Sequence, residues 1–371
     1  MRAEDLLQAM NGIDDKIIAN TYNSSSSGTI VHIKKSFPLA ACIGIALFAA
    51  ATVTAAAAIH HFWGRGMNGI VRSTSQQQQT LTEQGQAVVY PEKTDYSSYQ
   101  VTDQGVSIAP ETVIADSHYA FISFKVQGLN VNEMEEPGAE LTYNLTDASG
   151  VESYYINGTS SFFDGTYPNE EGMAVYEDGS PMEFTENGEL KLRYVDENGD
   201  LEYNLMISTA DASDTLLGKT LHVEFQELGI YADKCEFVPS VVGKWNFDMN
   251  LPTVSNAKTI EVNKAVPGTE CTIETIEVTP ISIIVNYKID GSLQQIEDCN
   301  GIPMFSGLGL KDGSNYMYLS NGGSSYFTDD SMKKGASSSC FQRIIDTSEI
   351  RSLFIRTSDY ENAEVVEIEL P

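Results

Sequence analysis

Two periodicities divide the chain. Near its start, Leu6, Met10, Ile13 and Ile17 recur at spacings of four, three and four, which places them on one face of a helix. Leu7 and Ile18 widen this stripe, and Gly12 interrupts it at a cost of about 1 kcal/mol relative to Ala. From Tyr96 onward the period is two. YAFISFKVQG at 119–128 sets Phe121, Ser123, Lys125 and Gln127 on one side and Ile122, Phe124 and Val126 on the other. Similar short strands are predicted at 141–146, 189–195, 201–208, 219–228 and 244–251, with DENGD at 196–200 as a hairpin turn between two of them. A second unit starts near Pro252, where 269–291 repeats the layout of 105–128 and reads as a distant duplication of one sandwich opening. Further strands are predicted at 316–322, 350–358 and 363–371, with RIIDTSEIRS as a short connection.

Between the two patterns lies Phe37 to Ile59, 23 residues without a charge. As a helix it spans about 34 Å, enough for a bilayer core of about 30 Å. Lys34 and Lys35 stand immediately before it, so the positive-inside bias predicts a cytoplasmic N-terminus and residues 60–371 outside. A cleaved signal peptide is the competing reading, with Ala55 to Ala58 as cleavage site, but its n-region and apolar run are too long. NSSSSG at 23–28 is read as a spacer, and the Gly/Gln/Ser/Thr-rich stretch from Gly64 to Asp95 as a tether. The expected organisation is therefore a cytoplasmic tail 1–36, a single-pass transmembrane helix 37–59 with the lipid bilayer as its partner, a flexible tether 60–95, and β-sandwich domains at 96–253 and 254–371. The fold class expected is an all-β ectodomain of two immunoglobulin-like antiparallel sandwiches.

Charge sharpens the division. Of 22 basic and 52 acidic residues, four of each lie in 1–36, which leaves 18 basic and 48 acidic beyond the uncharged run. A net charge of -30 excludes nucleic acid as a partner of the bulk of the chain, because phosphate contacts need a basic footprint.

Chemistry is sparse. No Gly-rich phosphate loop is expected, HExxH and a nucleophile elbow are missing, and His32, His60, His61, His118 and His222 are scattered. Asp196, Asn198, Asp200 and Glu202 suggest a calcium loop but fail the EF-hand pattern, with Leu201 at the sixth position and Ile207 at the twelfth. Asp329–Asp330 is a loop pair without a positioned partner. Cys235, Cys271, Cys299 and Cys340 allow three pairings, and free thiols stay equally open. The expectation is no enzyme, no catalytic residue, no metal and no cofactor.

The tail AEDLLQAMNGIDDKII, the uncharged span, the β segments GVSIAPETVIADSHYAFISFKV and the later GKWNFDMNLP together resemble a family of Firmicutes, domain of unknown function 4179, described as anti-sigma-factor-like membrane proteins. GIDDKII at 12–18 matches the family's tail signature, and Trp245 and Phe247 its strand pattern. The resemblance implies a regulatory protein whose residues 1–36 hold a sigma factor through Leu6, Met10, Ile13 and Ile17 while the outer domains sense an unknown extracellular ligand or protein. The tail lacks Cys and His in zinc-finger spacing, unlike the zinc-containing anti-sigma class. The alternative is a cell-surface adhesion or cell-wall interaction module without enzymatic activity, its tail touching lipid or nothing.

Overall fold

The computed structural model describes residues 63–90, 99–132, 134–153, 156–169, 173–209, 214–232, 236–291, 301–317, 319–357 and 364–371. Residues 53–371 form one compact unit. The tail stripe of Leu6, Met10, Ile13 and Ile17 and the uncharged run 37–59 lie outside the described residues.

Two helices come first, α1 (Arg65–Ile70) and α2 (Ser75–Glu83), and the rest is strand. The first half contains β1 (Ala87–Val89), β2 (Val101–Asp103), β3 (Val106–Ala115), β4 (Tyr119–Gln127), β5 (Glu136–Thr146), β6 (Glu152–Ser153), β7 (Ile156–Phe162), β8 (Thr166–Pro168), β9 (Ala174–Tyr176), β10 (Leu201–Thr209), β11 (Thr220–Ala232) and β12 (Glu236–Asn250). Its larger sheet has the order β1-β3-β4-β10-β7 with β2 on β3, and its smaller sheet the order β12-β11-β5-β6. The period of two explains their packing. Along β12, Trp245, Phe247 and Met249 point into the core while Lys244, Asn246, Asp248 and Asn250 point out. The two sheets share that core: Phe124 and Tyr203 of one meet Phe225 of the other edge to face, at 5.2 Å each. Trp245 is fully buried and donates its Nε1–H to the Val106 carbonyl at 3.0 Å, which pins the smaller sheet to the start of β3. The segment 189–195, read as a strand, is irregular instead and makes one isolated bridge, Phe184 to Leu190.

The second half contains β13 (Lys258–Ala265), β14 (Cys271–Val278), β15 (Ser282–Ile289), β16 (Met304–Leu310), β17 (Asn315–Tyr316), β18 (Ser320–Phe327), β19 (Lys334–Phe341), β20 (Ile350–Arg356) and β21 (Val365–Glu369). Its sheets run β13-β14-β15-β19-β18 and β17-β16-β20-β21. If β13 is matched to β1, β14 and β15 to β3 and β4, β16, β17 and β18 to β5, β6 and β7, and β19, β20 and β21 to β10, β11 and β12, the pairings of both main sheets recur; β2 on β3 and the small β8–β9 pair belong to the first half. The repeat therefore extends beyond the opening hairpin to the whole unit. The edge strands β7 and β18 retain a trace of it in sequence, INGTSSF against SNGGSSYF.

A third core joins the halves. Met67, Val71, Leu81 and Ala87 pack with Ile114, Tyr119 and Phe121 of the first half and with Ile281, Cys340 and Ile344 of the second. Residues 63–90 are thus a packed strap, which corrects the expectation of a flexible tether at 60–95 within the described part. Composition misled here because α2 is built from glutamines. Thr74 and Gln77 form a capping box, and Gln78 is buried with its amide on Asn68 and Ser73 at 3.1 Å.

The turns of the two opening hairpins also meet. Asp116 is fully buried, and its Oδ1 accepts the N–H groups of His118 and Tyr119 at 2.8 Å. Its Oδ2 accepts the hydroxyls of Thr279 at 2.6 Å and Ser282 at 2.5 Å, which belong to the corresponding turn of the second half.

The fold-class expectation is corrected in two respects. What the structure supports is an all-β, multi-sheet fold. Two immunoglobulin-like sandwich domains are not kept: the large sheets have six and five strands, the halves are bound through a helical strap, and Cys271 and Cys340 are free rather than forming a cross-sheet disulfide. Second, among the described residues no helix is long and apolar enough to cross a membrane; α1 has six residues and α2 nine, where about 20 are needed. The single-pass transmembrane topology, the bilayer as partner of 37–59, and the division into cytoplasmic N-terminus and extracellular domains are accordingly withdrawn.

Candidate functional site

The seam between the halves carries a groove of three adjoining depressions. The first, about 290 Å³, is lined by Thr159, Ser160 and Ser161 of edge strand β7, by Asn204, and by Asn321 and Gln342 of the second half. A small second depression shares Pro168 and Gln342 with it and adds Arg72, Tyr316 and Arg343. These three also line the last depression, about 420 Å³, together with Thr74, Gln77, Asp312, Asp346 and Glu349. One end mixes amides and hydroxyls with the apolar Ile70, Phe162, Phe163 and Met206, and the other carries most of the charged groups.

The strap holds the groove in shape. Arg65 donates to Glu177 at 3.0 Å and to the carbonyls of Arg193 and Tyr194 at 2.7 and 2.9 Å. Arg72 stacks on Tyr167 at 3.9 Å and Arg343 on Tyr316 at 4.2 Å, so both guanidinium planes are oriented by a ring. Hydrogen bonds from Ser314 and Ser348 hold Asp312 and Asp346 below the ordinary carboxylate range, which keeps both ionised at neutral pH.

Beneath the strap, Glu202 accepts the backbone N–H groups of Arg65, at 3.1 Å, and Gly66. Gly64, Gly66 and Gly69 have the G-x-G-x-x-G spacing of a phosphate-binding loop. Here the protein's own carboxylates fill the space. A Cβ on Gly64 would meet Glu111 and Glu202, one on Gly66 would meet Glu202 and Asn204, and one on Gly69 would meet the Phe163 ring. The glycines serve close approach of the strap to β10. Gly66→Ala is therefore expected to lower stability by about 1–3 kcal/mol through overpacking, read as a lower urea midpoint at unchanged slope; an unaltered midpoint would show that the strap has room.

The other sequence-level candidates have mostly structural surroundings. His222 comes nearest to a catalytic array. Its Nδ1 lies 2.6 Å from Asp248 and its Nε2 2.7 Å from the Thr146 hydroxyl. These are side chains on neighbouring strands of one outward sheet face, with Thr146 and His222 partly buried and Asp248 exposed, around a shallow depression of about 300 Å³. The backbone N–H groups around them are taken up in sheet pairing, so the face offers no evident oxyanion donors. His118 contacts Thr209 at 3.2 Å. Asp196 caps its own hairpin by accepting the N–H groups of Asn198 and Asp200, and Asp200 pairs with Lys125 at 3.1 Å. Asp329 likewise caps a turn, accepting from Lys333 and Lys334. Among the described residues no group of three or more His, Cys, Asp or Glu side chains could hold a metal ion. Burial pushes the thiol of Cys271 up to about 11 and that of Cys340 up to about 12. Cys235 and Cys299 lie outside the described residues, as do His32, His60 and His61.

Sequence reasoning took Glu202 only as part of a calcium-like run and did not single out Arg343 or Tyr316. The G-x-G-x-x-G run and the Thr74–Gln77 capping box were the available signals for an ordered strap. Nothing local marks the two arginines as partners.

No family model matches this chain. That finding overturns the resemblance to domain of unknown function 4179. The strand GKWNFDMNLP that supported it shows the alternation any core-facing strand would show, with Trp245, Phe247 and Met249 inward. No curated protein matches either. A solved structure described as the conserved domain protein from Bacillus anthracis is similar over 74% of this chain and 90% of its own, at 13% identity and a TM-score of 0.42. Likeness at that level leaves fold and function to the chain's own residues. The anti-sigma reading rested on the resemblance and on single-pass topology. With both gone, the sigma factor as partner, transcription regulation and membrane signal transduction are withdrawn. The tail stripe itself lies outside the described residues.

Proposed function

We propose that the chain is a cell-surface or cell-wall interaction module that binds an extended surface polymer in the seam groove without turning it over. The observation that carries this reading is the groove itself: it is open, continuous along the seam, and lined at one end by amides and hydroxyls from both halves. Such side chains suit the many hydroxyl and amide groups of wall polymers. The acidic balance of the chain argues against nucleic acid in the same groove. Absence of turnover belongs to the proposal, and the flat setting of Thr146, His222 and Asp248 supports it.

The full chain should co-sediment with insoluble cell-wall material of its source organism. Asn321→Arg, which places a long side chain in the groove, should cut the bound fraction by about tenfold. Soluble fragments should not accumulate on prolonged incubation. Failure to sediment, or release of fragments, would sink the reading.

A further inference from the structure

Sheet edges present unpaired N–H and C=O groups and are ordinarily guarded by short length, charge, proline or a bulge. Most edges of this protein carry such a guard. β12 contains Pro239 and Lys244 and shifts register against β11, β13 contains Lys258, Glu261 and Lys264, and β21 contains Glu367 and Glu369. β1 has three residues, β6 and β17 have two each, and β18 shifts register between Ser320 and Gly323. The edge strand β7, INGTSSF, has none of these. It runs seven residues without charge or proline and pairs with β10 in unbroken register.

The direction of its free backbone groups follows from that pairing. Phe163 N–H donates to the Glu202 carbonyl at 2.8 Å, so Phe163 and every second residue before it, Ser161, Thr159 and Asn157, turn their backbone groups toward β10. Gly158, Ser160 and Phe162 turn theirs outward, where among the described residues these groups meet no hydrogen-bond partner. The side chains of Thr159 and Ser161 stand opposite Met206 and Asn204 and line the depression of about 290 Å³ with Asn321 and Gln342 of the second half. A strand laid against β7 would pair with the outward groups and send every second side chain toward that depression. An acidic guest is disfavoured, because Asp164 lines the same depression and the chain has a net charge of -30. The same charge works against a second copy of this chain as the guest.

We propose that β7 binds an extended, uncharged or basic polypeptide segment as one further strand of the larger sheet, its backbone on Gly158, Ser160 and Phe162 and alternate side chains in the depression. The inference deepens the reading above by naming a polypeptide as the polymer along this wall of the groove, and it rests on that reading for the groove being a binding site.

The test uses the full chain and the acetylated, amidated heptapeptide KTVTVTK. Fluorescence anisotropy of the labelled peptide should show binding below about 1 mM. Hydrogen exchange at residues 156–162 should slow by about tenfold or more when it binds. A version with one N-methyl group on each edge should bind about tenfold weaker or worse, since recognition is by backbone pairing, and ETVTVTE should also be weaker. Ser160→Pro removes an outward donor and no bond to β10, and should weaken KTVTVTK by about tenfold. If this variant does not fold, by circular dichroism, the N-methylated peptide on the wild-type chain decides the matter. No binding at about 1 mM, equal binding of the methylated peptide, unchanged exchange at 156–162, or Ser160→Pro behaving as wild type would overturn the inference. A concentration-dependent dimer in sedimentation that Ser160→Pro abolishes would also overturn it, by giving the edge to a second copy. Wall binding that persists while KTVTVTK fails removes the added strand and leaves the wall reading standing. Loss of wall binding with KTVTVTK retained does the reverse.

Discussion

Asp116→Ala is expected to lower the stability of the described unit by about 3–5 kcal/mol and to separate the unfolding of its two halves. The side chain is fully buried and accepts four hydrogen bonds, two from the backbone of its own turn and two from the hydroxyls of Thr279 and Ser282. Alanine leaves all four donors without that acceptor, and each buried unsatisfied group costs about 1–3 kcal/mol. Asp116→Asn keeps the Oδ1 contacts and lets the hydroxyls turn to accept, so it should cost clearly less. Urea unfolding followed by tryptophan fluorescence reports on the first half through the buried Trp245 and on the core that joins the halves through Trp63. Hydrogen exchange at residues 279–282 reports on the second. Coincident transitions at wild-type midpoint in Asp116→Ala would refute the role of this contact as the link between halves.

The second large effect is a pH dependence set by Glu202. Burial pushes its carboxyl from the ordinary 4.5 up to about 7, against the opposing pull of the Gly66 N–H and of the Arg65 and Lys125 charges. A carboxyl whose folded value lies above its unfolded value stabilises the fold in its protonated form. That contribution is fully present below about pH 4.5 and is lost as pH rises through about 7. The swing amounts to about 3 kcal/mol. Exposed carboxylates such as Asp147 and Asp178 are held low by hydrogen bonds from Ser149 and Ser180 and work in the opposite direction at lower pH. The informative quantity is therefore the difference between wild type and Glu202→Gln. Glu202→Gln should be the more stable protein at pH 8 and lose that advantage toward pH 4.5. A difference that does not change with pH would show that Glu202 does not titrate in this range.

Much of the β architecture was legible along the chain because strand packing depends on local alternation. The period of two placed Phe124, Val126, Trp245 and Phe247 in cores, and the recurrence of 105–128 at 269–291 announced the repeat that all nine corresponding strands carry. The -30 charge bounded the choice of partners in the same local way. The helical strap was not legible. Its glutamines lack an apolar stripe, and Gln78 becomes a buried residue through Asn68 and Ser73 once the strap lies against both halves. Nor was the groove. Arg72 and Arg343 are far apart in sequence, and their opposition arises from a bridge between the strap and the segment after β19. Glu202 lies in the segment 201–208 that reads as a strand, but its burial and raised pKa come from the pairing of β10 with β4 and from the strap above it. Side-chain period is a property of neighbouring residues and is carried by sequence alone. Burial of a charge, the meeting of two cations and the packing of a polar helix depend on which distant segments the fold brings together, so the tertiary structure decided them.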